Sequence, residues 1–195
     1  MKTDIVLAGV GGQGILTIAT ILGAAALADN LYIKQAEVHG MSQRGGDVQS
    51  NLRIGSEPIH SDLIPLGGAD LIVSLEPMEA LRYLPFLSKN GWVVSSTLPF
   101  VNIDNYPEQE KLEGELLALG NVVAFDMEAA AKEVASARSS NLVLLGAASP
   151  FIDIPAEAIE KAIASVFGSK GEAIVNANIA AFRLGRTRAV EMAKI

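Results

Sequence analysis

This chain opens with a strand that stops on a glycine turn and passes directly into a helix, and that junction limits the fold more than any other feature. Ile5-Val6-Leu7-Ala8 is a β-prone run without polar alternation, as expected of a strand covered on both faces in a parallel sheet. It stops at Gly9-Val10-Gly11-Gly12-Gln13-Gly14. Ile15 to Leu22, extended by the alanines that follow, is long enough to predict a buried helix. Leu31 to His39 reads as a second strand, so the opening has the order of a βαβ unit.

Asp47 to Ile54 alternates, with Val48, Ser50, Leu52 and Ile54 on one side and Gln49, Asn51 and Arg53 on the other. This predicts a strand with one face on the core. Gly55-Ser56-Glu57-Pro58 reads as a turn, giving a hairpin that returns through Ile59 and His60. Further strands are expected at Leu71–Ser74, Trp92–Ser95 and Asn121–Phe125, with helices opened by Pro77 and spanning Met127 to Ala137. Residues 99–111 read as an exposed excursion, and the remainder as helices at Asn141–Ala148, Pro155–Phe167 and Glu172–Ala193. The expected class is α/β: a doubly wound, mostly parallel, Rossmann-like sheet with an antiparallel edge hairpin and C-terminal helices. The last helix, apolar nearly all round, should be buried against the domain or a neighbouring chain. Asn176 and Asn178 read as surface residues on it, and Arg183, Arg186 and Arg188 as a solvated last turn that complements the helix dipole.

Gly9, Gly11 and Gly14 satisfy G-x-G-x-x-G between a strand and a helix, and Glu37 lies 23 positions beyond Gly14. Free N–H groups at the helix start attract phosphate, and an acid at the end of the second strand can accept a ribose hydroxyl. That reading makes Gly9, Gly11, Gly12, Gln13 and Gly14 a cofactor-binding turn of a free-standing NAD(P)- or flavin-dependent oxidoreductase, or of a nucleotide-binding module. Against it, the second strand runs into a loop rather than a crossover helix, and the bulky Gln13 suits hydrogen bonding to a neighbour better than pyrophosphate. The residues of this turn, taken alone, leave both readings open.

Composition removes several classes. With no cysteine in 195 residues, the chain cannot build a disulfide framework or a thiolate-held iron–sulfur cluster, so redox chemistry must reside in a bound cofactor or another chain. A formal charge of −7 with scattered basic residues argues against nucleic-acid binding. The longest apolar stretch, Ile15 to Ala28, is 14 residues, short of the roughly 20 that cross a bilayer. No membrane association is expected, and the N-terminus lacks the layout of a signal peptide, which predicts a cytoplasmic location. A mean hydropathy of +0.33 is high for a soluble chain; Ala-rich helices account for it, and so does an apolar surface reserved for another subunit or for self-association of an isolated copy.

Glu37-Val38-His39-Gly40-Met41-Ser42-Gln43-Arg44-Gly45-Gly46 is the most unusual stretch. A guanidinium between flexible residues suits a carboxylate, a phosphate or a complementary protein surface. An Arg44 that only pairs with Glu37 explains the residue equally well, and a structural hydrogen bond is the simpler reading of both His39 and His60.

Together, and at this spacing, the two loops resemble the gamma-type domain of 2-oxoacid:ferredoxin oxidoreductases, and within that family the indolepyruvate branch, in which the domain is a separate short chain. The resemblance covers residues 1–195 as a single gamma-type domain. It implies a subunit of a thiamine diphosphate-dependent enzyme that oxidatively decarboxylates an arylpyruvate, with coenzyme A and ferredoxin, and that is inactive alone. Thiamine diphosphate, magnesium and the iron–sulfur clusters are then expected in a larger catalytic subunit, and ferredoxin is met through the complex. On this reading Glu37, His39, Gly40, Met41, Ser42, Gln43, Arg44, Gly45 and Gly46 form a partner interface or a substrate-proximal loop, with Gln13 as a further polar contact. No residue is assigned as catalytic or as a metal ligand.

Overall fold

The computed structural model describes residues 1–39 and 45–195, the side chain of His39 excepted. A six-stranded sheet runs in the order β2-β3-β1-β4-β5-β6. Its strands are β1 (Lys2–Val10), β2 (Tyr32–His39), β3 (Asp47–Gly55), β4 (Ala69–Ser74), β5 (Leu87–Ser96) and β6 (Val122–Phe125). β1, β4, β5 and β6 pair in parallel, whereas β3 is antiparallel to both β1 and β2. The expected mostly parallel sheet with an antiparallel edge hairpin is therefore present, but the hairpin is β2–β3. Ile59 and His60, expected in its returning strand, lie within residues 56–68, which form no strand. β3 already has a partner on each side, and Arg53 donates to the Ser61 and Leu63 carbonyls at 3.0 Å, which draws the excursion across the sheet end rather than along it.

Helices cover both faces. Ile5 and Leu7 of β1 belong to one core cluster with α1 (Ile15–Ala28), α5 (Ser140–Ala148) and α6 (Ala156–Phe167); Val6 and Ala8 belong to a second, with α2 (Pro77–Arg82) and α3 (Gln109–Leu117). Burial on both sides is what the unalternating run required, and each such side chain contributes roughly 1.5–3 kcal/mol. α1 ends on Asn30 in the left-handed region (φ 58°), with the Leu31 N–H returning to the Ala26 carbonyl. α4 (Met127–Val134) is capped by Asp126, whose carboxylate accepts from the Glu128 and Ala129 N–H groups. α3 falls partly within the expected excursion. Only Leu112 and Leu116 of it are buried, too few apolar positions to stand out as a helical period.

The long helix α7 (Glu172–Ala193) is less buried than its composition suggested. Asn178, Ala181, Phe182, Gly185 and Ala189 face inward while Ile174 is exposed. Asn176 is on the surface, but Asn178 is buried and accepts the Ser139 hydroxyl. The three arginines clamp rather than solvate: Arg183 forks onto Glu160, Arg186 donates to Ser149 Oγ, and Arg188 pairs with Glu133. α7 crosses α5 on two glycines. A Cβ on Gly185 would lie 1.9 Å from the Val143 carbonyl oxygen, and one on Gly146 would lie 1.9 Å from that of Phe182.

Gly185→Ala should therefore lower unfolding stability by about 3 kcal/mol, because helix backbone has to move apart. Gly114→Ala on α3, where a Cβ meets nothing within 4 Å, should raise it by about 0.5–1 kcal/mol. Urea denaturation of the two variants checks both signs.

Candidate functional site at the carboxyl edge of the sheet

The two glycine-rich segments meet at the carboxyl end of β1. The Gly11 N–H donates to the Gly46 carbonyl at 2.9 Å and the Gly45 N–H to the Gly11 carbonyl at 3.4 Å, continuing the β1–β3 ladder beyond its Val10–Asp47 pair. Asn102, beyond β5, donates to the Gly45 carbonyl at 2.6 Å. Gly40, Met41, Ser42, Gln43 and Arg44 lie outside the described residues, as does the His39 side chain. Glu37 is exposed on edge strand β2, paired in register with Ser50.

Three glycines of the first turn have separate causes. Gly12 and Gly14 have φ of 103° and 84°, which L side chains rarely adopt. Gly9 admits the start of α1, since a Cβ there would lie 2.8 Å from Ile15 Cγ1 and 2.9 Å from Gln13 Oε1. Gln13 is turned inward. Its Oε1 accepts from the Val10 N–H at 2.7 Å and its Nε2 donates to the Leu75 carbonyl at 3.2 Å, stapling the ends of β1 and β4. The side chain expected as a partner contact thus has both ends of its amide occupied within the chain.

Beside this staple opens a cleft of about 410 Å³, lined by Gly12, Gly14, Ser96, Phe100, Arg138 and Asn141 among others. α1 points its N-terminus here without a side-chain cap or an acid in its first turn, so its leading N–H groups present positive potential. Arg138 stands exposed at the rim, and the acid nearest to it in the lining, Glu128, is paired with Lys132. Asn141 is buried: its Nδ2 donates to the Gly14 carbonyl at 3.3 Å, while its Oδ1 has no hydrogen-bond partner among the described residues. Sequence reading had missed Arg138 and Asn141. The polar run Ser136-Ala137-Arg138-Ser139-Ser140-Asn141 between two apolar helices was the available signal.

Two buried carboxylates, Glu76 and Glu79, follow Leu75 of the cleft lining. Glu76 caps α2 by accepting the Glu79 N–H at 2.8 Å, and it also accepts the Phe100 N–H and the Tyr106 hydroxyl. Tyr83 donates to Asp47 at 2.6 Å, tying α2 to the start of β3. Burial pushes the Glu79 carboxyl above the usual range; Arg82, which forks onto it, opposes that, and the nearby Asp47 carboxylate reinforces it. Burial and the bonds to Asp47 and Glu76 likewise raise Tyr83 and Tyr106, which stay protonated donors.

The geometry does not suit a dinucleotide. β3 lies between β1 and β2, placing Glu37 two strand spacings, roughly 10 Å, from β1 instead of one. Comparison with known proteins decides the matter: residues 4–188 match the family model of pyruvate ferredoxin/flavodoxin oxidoreductase. The chain belongs to this family. It is 37% identical over 199 residues to the indolepyruvate oxidoreductase subunit IorB of Archaeoglobus fulgidus and 40% identical over 200 residues to that of Thermococcus kodakarensis, in each case covering 97% of this chain and 96% of the relative. Its fold superposes with a TM-score of 0.78, at 24% identity, on a 2-oxoglutarate:ferredoxin oxidoreductase from Magnetococcus marinus, covering all of this chain and 32% of that one. No helix among the described residues is long and apolar enough to cross a membrane.

Two outcomes are expected at this site. Gln13→Ala should cost about 1–3 kcal/mol in urea denaturation, because the Val10 N–H and the Leu75 carbonyl lose a common partner. Glu79 titrates higher in the folded than in the unfolded chain, so its contribution is full below the unfolded carboxyl range and is lost as pH rises through the raised folded value. Thermal melts from pH 4 to 8 should show that slope, and Glu79→Gln should flatten it.

Proposed function

We propose that this chain is the small accessory subunit of a thiamine diphosphate-dependent arylpyruvate:ferredoxin oxidoreductase, inactive alone and completed by a larger catalytic subunit. The overall reaction converts an oxoacid such as indolepyruvate, with coenzyme A, into the arylacetyl-CoA and carbon dioxide, and passes the two electrons released to ferredoxin. Full-length similarity to the IorB subunits carries this reading. The sequence does not suit the redox and thiamine groups: the chain has no cysteine for a cluster, and Gly46-Asp47 is followed by Val48 instead of the glycine of a Gly-Asp-Gly motif that would hold a diphosphate through magnesium. Those groups are assigned to the larger subunit. The proposed place of work is the cytoplasm.

This chain's share is to bind and orient. The adjoining glycine turns, with Glu37 and His39 through Gly46, form the face presented to the larger subunit near its reacting centre. The cleft beside them receives an anion, for which the coenzyme A phosphates are the best match. An uncapped helix start and Arg138 supply positive potential, the unpaired Asn141 oxygen can accept an amide N–H, and the volume lies in the range of small-molecule sites. Glycine at Gly12 lets a ligand approach the backbone.

Reconstitution with the larger subunit tests the reading. Indolepyruvate-dependent, coenzyme A-dependent dye reduction should vanish when this chain is omitted, and full activity without it would refute the assignment. Arg138→Glu should raise KM for coenzyme A about tenfold with kcat little changed, since it removes binding common to ground and transition states. Arg44→Ala should weaken assembly or activity while leaving the melting temperature unchanged. Micromolar binding of NAD(H) or FAD to the isolated chain, measured by calorimetry, would favour the competing nucleotide-enzyme reading.

A further inference from the structure

Between β5 and α3 the chain forms a strap, residues 97–106, whose construction the cleft alone does not explain. Leu98, Phe100, Val101 and Ile103 are exposed within six residues, Val101 by 69%. Isolated exposed apolar side chains are ordinary, but four on one short segment form a patch. Nor is the segment loose. The Thr97 N–H donates to the Phe125 carbonyl, Leu98 N–H to Ser96 Oγ, Phe100 N–H and the Tyr106 hydroxyl to the buried Glu76 carboxylate, and Asn102 to the Gly45 carbonyl. A fully buried carboxylate is expensive unless its bonds are filled, and here two of its donors come from the strap. The fold thus holds apolar side chains outward on a rigid prominence.

The surrounding charge restricts the occupant. Asp104, Glu108, Glu110, Glu113 and Glu115 follow the strap, opposed over that stretch only by Lys111. Two copies meeting strap to strap would bring these acids together, so a second copy is disfavoured. A socket that is apolar at its centre and basic at its rim complements the strap. Leu98 and Phe100 also line the cleft beside the glycine turns, and Asn102 of the strap donates to the Gly45 carbonyl, so the patch adjoins the face assigned to the larger subunit.

We infer that the strap at residues 98–103 is the apolar anchor by which this chain docks into a basic-rimmed socket of the larger subunit, with the acidic stretch 104–115 steering the approach. The inference rests on the subunit assignment above and adds to it the surface used and the chemistry of its counterpart.

Affinity of the full-length chain for the purified larger subunit, measured by calorimetry at low and high salt, tests it. Val101→Asp and Ile103→Asp should each weaken binding at least tenfold at an unchanged melting temperature, since neither side chain supports the fold. The wild-type dissociation constant should rise with salt, and the double charge reversal Glu110→Lys/Glu113→Lys should weaken binding and reduce that salt dependence. If the wild-type chain does not bind the larger subunit at all, the subunit assignment fails and this inference with it. If the wild type binds and both strap variants bind equally well, the anchor is wrong and the assignment stands. Strap variants that abolish only self-association of the isolated chain, detected by analytical ultracentrifugation, would also overturn it.

Discussion

The pairing of β3 with β1 is the interaction on which the rest depends. It runs from Lys2–Gly55 to Val10–Asp47 without a register break and continues into the Gly11–Gly46 and Gly45–Gly11 backbone bonds. Near its other end, Asp4 and Arg53 face each other in register, and the guanidinium forks onto the buried carboxylate at 2.8 and 3.0 Å. A one-residue slip would turn Arg53 towards the apolar layer that holds Leu52 and Ile54, and would part the two glycine turns. A side-chain ion pair at one end of the ladder thus helps hold two loops together at the other.

At that far end the chain closes its own crevice where a dinucleotide fold leaves it open. Gln13 bridges β1 and β4, and β3 separates β1 from β2. What stays open lies towards β4, β5 and α5, as a cleft lined in part by Arg138 and Asn141. On the proposed reading, anion binding and protein contact share one edge of the sheet: the helix start and the cleft for a small charged group, and the adjoining glycine turns and strap for a polypeptide. The buried Glu76 accepts from the Glu79 N–H and the Tyr106 hydroxyl, and Tyr83 donates to Asp47, so the same cluster ties α2, the strap and the start of β3 together.

Much of this was legible in the residue order. The runs at β1, β4, β5 and β6, the glycine turn, the Pro77 helix start and the three C-terminal helices carry local signals and fall where expected, except that β5 begins at Leu87, five residues before the apolar run at Trp92. The β3 partner was not, because alternation records which face is buried and not which strand lies alongside. α3, with only two buried leucines, left no helical period to read. Asn178 looked like a surface residue because its partner Ser139 lies 39 positions away. Arg138 and Asn141 were passed over because nothing in residues 136–141 shows that this segment folds back onto the start of α1.

The sequence by itself determined the class of fold, the absence of thiolate chemistry, and a pair of loops whose composition is unusual enough to place the chain in its family, since each of these is fixed by residue type or by spacing along a short stretch. Only the tertiary structure decided that the loops touch, that Gln13 points inward, that Glu76 supports an apolar strap and that a cleft forms between α1 and α5. Those facts depend on hydrogen bonds and packing between residues tens of positions apart, and their geometry is set by the whole sheet once it has assembled.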